Sequence, residues 1–379
     1  MRYMKQLDAI RTFGVFSVFY VHFVSTHLPK PTIFGHDIYL GSTALDAFFV
    51  MSGYLITGLL LKGRKDYEAG IVSRGTAFKE FYVRRSLRIF PIFYLTLAIG
   101  YLLDIPPVRD SIGWHASYLS NLYLSDHGWE LGSVTHFWSL AVEEQFYLLW
   151  PLVILLTPKR WLPAVLVAAM GVAPLYRLYC MESGTNEILP FVHALGNIDL
   201  LAMGGVLAYL KMYRKSRPEA IAKVMSFCLW VGGSLFLLDA VLMTFEMAGR
   251  FAIFSRTLEG MCFCWAFNKA TDGFTGRLGA FLEWKPFLFL GKISYGLYLY
   301  HNFVPYVAKP YLLEPLHLEF LVSNLIGKFV TYSTITVAVA VASWYLVEIP
   351  IGRFRDSLRF GERRERRERV PAGAVPEAK

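Results

Sequence analysis

A chain of 379 residues that is 55% hydrophobic and only 18% charged is too apolar for a soluble domain of its length. Its formal net charge of +9 does not mark a nucleic-acid partner, because the basic residues lie between apolar runs, where they set membrane topology. The four cysteines, Cys180, Cys228, Cys262 and Cys264, sit in or beside apolar segments and suggest neither a disulfide framework nor a metal site.

Apolar runs of about 20 residues are long enough to cross some 30 Å of hydrocarbon as helices. About ten such runs occur, near 8–26, 42–61, 87–104, 138–157, 161–180, 194–210, 224–244, 251–268, 286–308 and 321–347. The N-terminus has the basic start and apolar run of a signal peptide, but Asp8 and Arg11 interrupt it and no small-x-small cleavage site follows, so it reads as a retained first span. Threaded alternately from a cytoplasmic N-terminus, the spans leave most of the 38 Lys and Arg on the cytoplasmic side. The expected fold class is therefore all-α, a polytopic transmembrane bundle with both termini cytoplasmic. The membrane domain is expected over 1–352, followed by a charged, disordered tail over 353–379.

The first span places Asp8, Arg11 and His22 on one stripe, since eleven residues at 100° each make three turns plus roughly 20°. Ionisable groups within a span cost several kcal/mol unless they face a partner or a wet cavity. The residues alone admit two readings, interfacial anchors or an interior polar site. The second span holds Asp46 and the pair Ser52-Gly53, and small residues there also serve close helix packing. Before Pro91, Arg85 and Arg88 are three apart and share a helix face suited to phosphate oxygens, although basic residues there also act as ordinary anchors. The fourth span opens HFWSLAVEEQ, with Ser139 four residues before Glu143 on one face. The ninth aligns Ser294, Tyr298 and His301. Counting residues inward from each end puts His22, Asp46, Glu143 and His301 at one depth in the outer part of the membrane, opposite the arginines. Such a layer suits a reaction centre reached from both faces.

In these motifs the sequence resembles the acyltransferase-3 family of integral-membrane acyltransferases. The resemblance rests on Arg11 followed eleven residues later by His22, on Phe48, Phe49, Ser52 and Gly53, on Arg85, Arg88 and Pro91, on Trp138, Ser139, Glu143, Phe146 and Tyr147, on Ser294, Tyr295, Tyr298 and His301, and on Glu348 and Pro350. Tyr54 stands where the family more often has Phe. It implies a membrane O-acyltransferase that moves an acetyl or other short acyl group from acyl-CoA, with acetyl-CoA as the expected donor and no metal, to a carbohydrate hydroxyl. The implied catalytic set is His22, Arg11, Glu143 and Asp46, with Asp46 or Glu143 orienting the imidazole. Arg85, Arg88, Ser52 and Gly53 are implied at the donor, and Trp138, Ser139, Tyr298, His301 and Glu348 in acceptor binding or structure. The implied setting is the inner (plasma) membrane, with a lipid bilayer, a carbohydrate acceptor and glycan-assembly partners. The competing reading is a proton-coupled transporter or flippase whose intramembrane Asp, Glu and His carry protons.

Overall fold

The computed structural model describes residues 4–358 apart from 26–31, 34–35, 38–39, 215 and 246. Of the tail expected over 353–379, Arg353 to Ser357 belong to the last helix, and the residues from 359 onward lie outside the described residues. Four helices form the first half of the bundle: α1 (Lys5–Phe23), α2 (Leu40–Glu68), α3 (Arg74–Leu102) and, after the short α4 (Val108–Ala116) and α5 (Ser120–His127), α6 (Phe137–Leu156). Then follow α7 (Leu162–Ser183), the one-turn α8 (Leu189–Val192), α9 (Ile198–Tyr213), α10 (Pro218–Thr244) and α11 (Ser255–Asp272). The chain closes with α12 (Gly276–Leu282), α13 (Lys285–Lys292), α14 (Ser294–Tyr300), α15 (Val304–Ala308), α16 (Leu325–Ser343) and α17 (Ile349–Ser357). The strands among the described residues are two residues each, Thr32–Ile33 paired antiparallel with His36–Asp37.

Six of the described helices are long and apolar enough to cross a membrane, within Gly41–Glu68, Gly132–Leu156, Leu162–Ser183, Ala194–Tyr213, Pro218–Thr244 and Leu325–Ser357. The other four expected spans are helical, but each departs from a simple apolar rod. Helix α1 carries Lys5, Asp8 and Arg11, and α3 begins with a basic half. Arg256, Glu259 and Lys269 fall in α11, and the expected ninth span is divided into α13, α14 and α15. Broken helix of this kind is stable at membrane depth where protein surrounds it, and Ile293, Leu297 and Leu299 are all fully buried. The expected tenth span is longer than its apolar run. It continues from α16 through a π-helical turn at Trp344–Glu348 into α17, and Pro350 in the first turn of α17 has no N–H to continue the regular ladder.

Close backbone approach organises the interior. A Cβ on Gly53 would stand 1.9 Å from the Leu201 carbonyl oxygen, and one on Gly204 would stand 2.0 Å from that of Val50. Helices α2 and α9 therefore touch backbone to backbone, the arrangement that small residues permit inside a membrane. Large apolar side chains are instead exposed on the outer helices, among them Trp230, Leu175, Ile326 and Leu346. An apolar exterior of this extent is the surface that lipid covers, and the protein is a multi-pass membrane protein.

Candidate active site

A cavity of about 380 Å³ opens between α1, α2, α3, α6 and α14. Asp8, Arg11, Ser52, Arg85, Arg88, Ser139, Glu143, Tyr147, Ser294 and Tyr298 supply its polar wall. Helical spacing accounts for these groupings, since Arg85 with Arg88, Ser139 with Glu143, and Ser294 with Tyr298 each reach the cavity as pairs three or four residues apart. Arg11 is tied to Asp8 by a 2.7 Å ion pair within α1. The Arg85 guanidinium lies 3.9 Å from the centroid of the Tyr147 ring and is attracted by Glu144 and Glu143. Ser52 and Tyr147 share a hydrogen bond, and both hydroxyls act on the Glu143 carboxylate. Arg88 is exposed into this space and has no hydrogen bond or ion pair among the described residues. Glu348, on the π-helical turn, does not line the cavity; it accepts a hydrogen bond from Ser343 at 3.4 Å and attracts Arg88.

His22 does not line this cavity. It sits two turns beyond Val15, which does, and its ring centroid is 4.9 Å from that of His301. His136 completes a three-imidazole cluster, 4.7 Å from His301. Tyr298 and Ser139 join the cluster to the cavity: their hydroxyls share a hydrogen bond at 2.6 Å, each lies 3.1 Å from the His136 carbonyl oxygen, which accepts from whichever hydroxyl is not donating to the other, and the Tyr298 carbonyl accepts from His301 Nδ1 at 2.6 Å. The cluster thus begins where the cavity ends.

The structure leaves four of the expected site residues outside both places, Glu348 together with Asp46, Gly53 and Trp138. Asp46 is fully buried and engaged by Arg256, whose Nε donates to its two carboxylate oxygens at 3.1 and 3.0 Å, so the orienting contact expected between Asp46 and His22 is replaced by an ion pair to α11. The same layer holds the Arg177–Asp199 pair at 3.0 Å. Gly53 does not line the cavity and serves the α2–α9 contact. Trp138 is buried in an aromatic stack, with ring centroids 5.1 Å from Phe191 and 6.1 Å from Phe49. Glu143 is at the cavity with Arg85 and makes no hydrogen bond to His22. The sequence reading missed His136, which lies one residue ahead of α6 and so outside any helical periodicity. It also missed Arg256 as the partner of Asp46, although an intramembrane arginine calls for a carboxylate. Among the described residues no cluster of His, Cys, Asp and Glu is placed to hold a metal ion.

A multi-pass helical bundle with an arginine-lined cavity ending at a histidine cluster defines the class as an integral-membrane protein with a polar interior site. The chain belongs to the acyltransferase-3 family, whose acyltransferase-domain model matches residues 4–346. It is similar to the O-acetyltransferase OatA of Staphylococcus aureus (strain NCTC 8325 / PS 47), with 31% identity over 323 residues, 79% of this chain and 50% of the relative. It is also similar to the putative peptidoglycan O-acetyltransferase YrhL of Bacillus subtilis (strain 168), with 28% identity over 338 residues, 82% of this chain and 50% of that protein. A putative O-acetyltransferase of Staphylococcus aureus (strain MSSA476), SAS0844, is 27% identical over 335 residues, 79% of this chain and 50% of the relative. The chain spans about half the length of the curated relatives it matches. No solved structure matches.

Proposed function

We propose that the protein is an O-acyltransferase of the plasma membrane that moves an acetyl group from acetyl-coenzyme A to a hydroxyl of a cell-envelope carbohydrate, peptidoglycan being the acceptor class. Arg88 is the observation that carries this reading, as a guanidinium with no hydrogen bond or ion pair among the described residues that faces a cavity already holding Arg11 and Arg85. Phosphate oxygens are the natural complement of a guanidinium fork. Met4, Leu7 and Asp8 from the start of α1 and Leu59 from the latter half of α2 line the same cavity. The positive-inside rule puts that end at the cytoplasm, where acyl-coenzyme A is available. The apolar walls formed by Leu45, Phe48, Phe49 and Leu140 suit a pantetheine arm reaching toward Ser139 and Tyr298.

The chemistry then falls to the far end. His22 is the one ring of the three that is partly accessible. Its imidazole takes the proton of the acceptor hydroxyl as the oxygen attacks the thioester carbon, help worth about 10²–10⁴-fold. Arg85 stabilises negative charge on the donor, held in place by Tyr147, Glu143 and Glu144. Asp46 with Arg256, and Trp138 with Phe191, are scaffold. Membranes carrying the chain, incubated with radiolabelled acetyl-coenzyme A and peptidoglycan glycan fragments, should place label in the glycan. A transporter or flippase would leave the thioester unconsumed, and that outcome refutes the reading.

A further inference from the structure

His136 and His301 are buried to 2% and 0% exposure, and each ties one ring nitrogen to a backbone carbonyl. His136 donates from Nε2 to the Leu299 oxygen at 3.1 Å, and His301 donates from Nδ1 to the Tyr298 oxygen at 2.6 Å. A carbonyl oxygen only accepts, so these bonds fix the tautomers, and each neutral ring carries a bare lone pair on its other nitrogen. Among the described residues those two atoms, His136 Nδ1 and His301 Nε2, have no hydrogen-bond partner. A buried acceptor without a donor is costly. The ring neighbours of His301 are Phe19, Phe23, Tyr298, His136 and His22. Phe rings offer no N–H or O–H. The Tyr298 hydroxyl is occupied by Ser139 and the His136 carbonyl, and His136 is itself fixed as an acceptor. Among these ring neighbours His22 is the one left to donate.

We propose that His301 is the positioning partner of His22: its bare Nε2 accepts a hydrogen bond from a ring N–H of His22, which leaves the other His22 nitrogen as the lone pair facing the acceptor. This rests on the acyl-transfer reading above. The pairing fills the place expected for Asp46 or Glu143, both of which are committed elsewhere. Because the two buried rings are locked as acceptors, neither competes with His22 for a lone pair, and His22 is held in one tautomer. In the transfer the acceptor O–H proton moves to the free His22 nitrogen while the oxygen bonds to the acyl carbon. The carbon–sulfur bond breaks with its electron pair on sulfur. The resulting imidazolium keeps its second N–H on His301 Nε2 and returns the captured proton to the thiolate, so an alcohol and a thioester give an ester and a thiol.

The test uses the full chain in native membranes. In His301→Asn the side-chain amide keeps a donor at the level of Nδ1 for the Tyr298 carbonyl but removes the acceptor at Nε2, whereas His301→Gln carries an acceptor oxygen near the Nε2 position. With labelled acetyl-coenzyme A and peptidoglycan fragments, His301→Asn should lower kcat by about 10²-fold at an unchanged donor KM, and His301→Gln should recover much of the loss. A kcat in His301→Asn within about twofold of the unaltered protein, or equal losses in Asn and Gln, overturns the pairing. A second arm needs neither a variant nor turnover: nitrogen-15 spectra of histidine-labelled protein in nanodiscs should show His301 protonated at Nδ1, with Nε2 an acceptor coupled to His22. Protonation at Nε2 instead overturns the proposal. If the unaltered protein transfers no acetyl group, the functional reading fails, and the spectra still decide whether the two rings are paired.

Discussion

Arg85 and Arg88 lie three residues apart on α3 and reach the same cavity, but their surroundings set them to different tasks. Arg85 is stacked on Tyr147 and balanced by Glu143 and Glu144, so its removal strands two carboxylates within the membrane. Arg88 has no hydrogen bond or ion pair among the described residues, only the attraction of Glu348. Arg88→Ala should therefore raise the KM for acetyl-coenzyme A by about 10-fold or more, the worth of a charge-assisted hydrogen bond, while leaving the thermal midpoint in detergent unchanged. Arg85→Ala should raise KM and also lower the midpoint. An unchanged donor KM in both would reduce them to topology anchors. Asp46 makes the opposite case. Asp46→Ala leaves Arg256 buried without its counter-charge and should destabilise the protein by about 3–5 kcal/mol, whereas replacing both residues by apolar side chains of similar volume should restore most of that. Thermal unfolding of the single and double variants checks this, and a double variant as unstable as the single one would contradict it.

At the level of elements, spacing along one helix was readable and the relation between helices was not. The pairs Ser139 with Glu143 and Ser294 with Tyr298 follow from 3.6 residues per turn, and each lands on the cavity. Depth along each helix brings His22 and His301 together, since both stand at the ends of their helices with ring centroids 4.9 Å apart. It failed for Asp46 because depth is one coordinate and azimuth another. Six residues separate Asp46 from Ser52, about 240° around α2, so when Ser52 faces the cavity Asp46 faces α11. Gly53 was ambiguous for the same reason, one position on from Ser52 and turned toward α9. Gly53→Ala should cost on the order of 1–3 kcal/mol or more by forcing α2 off the Leu201 carbonyl, seen as a lower midpoint together with lost activity. An alanine variant as stable as the parent would show that the two helices part without penalty. No pattern in the sequence marked the division of residues 286–308 into three helices, because its composition is as apolar as that of an unbroken span.

For the whole molecule, the arginine-lined cavity and the histidine cluster occupy successive depths of one bundle. Arg11 and His22 are separated by eleven residues of α1, about 16 Å along its axis. That separation fits a donor held at one face and an acceptor met nearer the other. It requires the arginine end to face the cytoplasm, together with both chain termini. A reporter fused after the last residue should therefore be active only as a cytoplasmic fusion, and periplasmic-type activity would reverse the orientation and remove the donor's route to Arg88. The measurement that bears most directly on the central claim is acetyl transfer by membranes containing His22→Ala, matched for insertion with the unaltered chain and supplied with labelled acetyl-coenzyme A and peptidoglycan fragments. The expected result is a loss of transfer of about 10²–10⁴-fold with donor KM preserved. Transfer at the unaltered rate would contradict the assignment of His22 as the base.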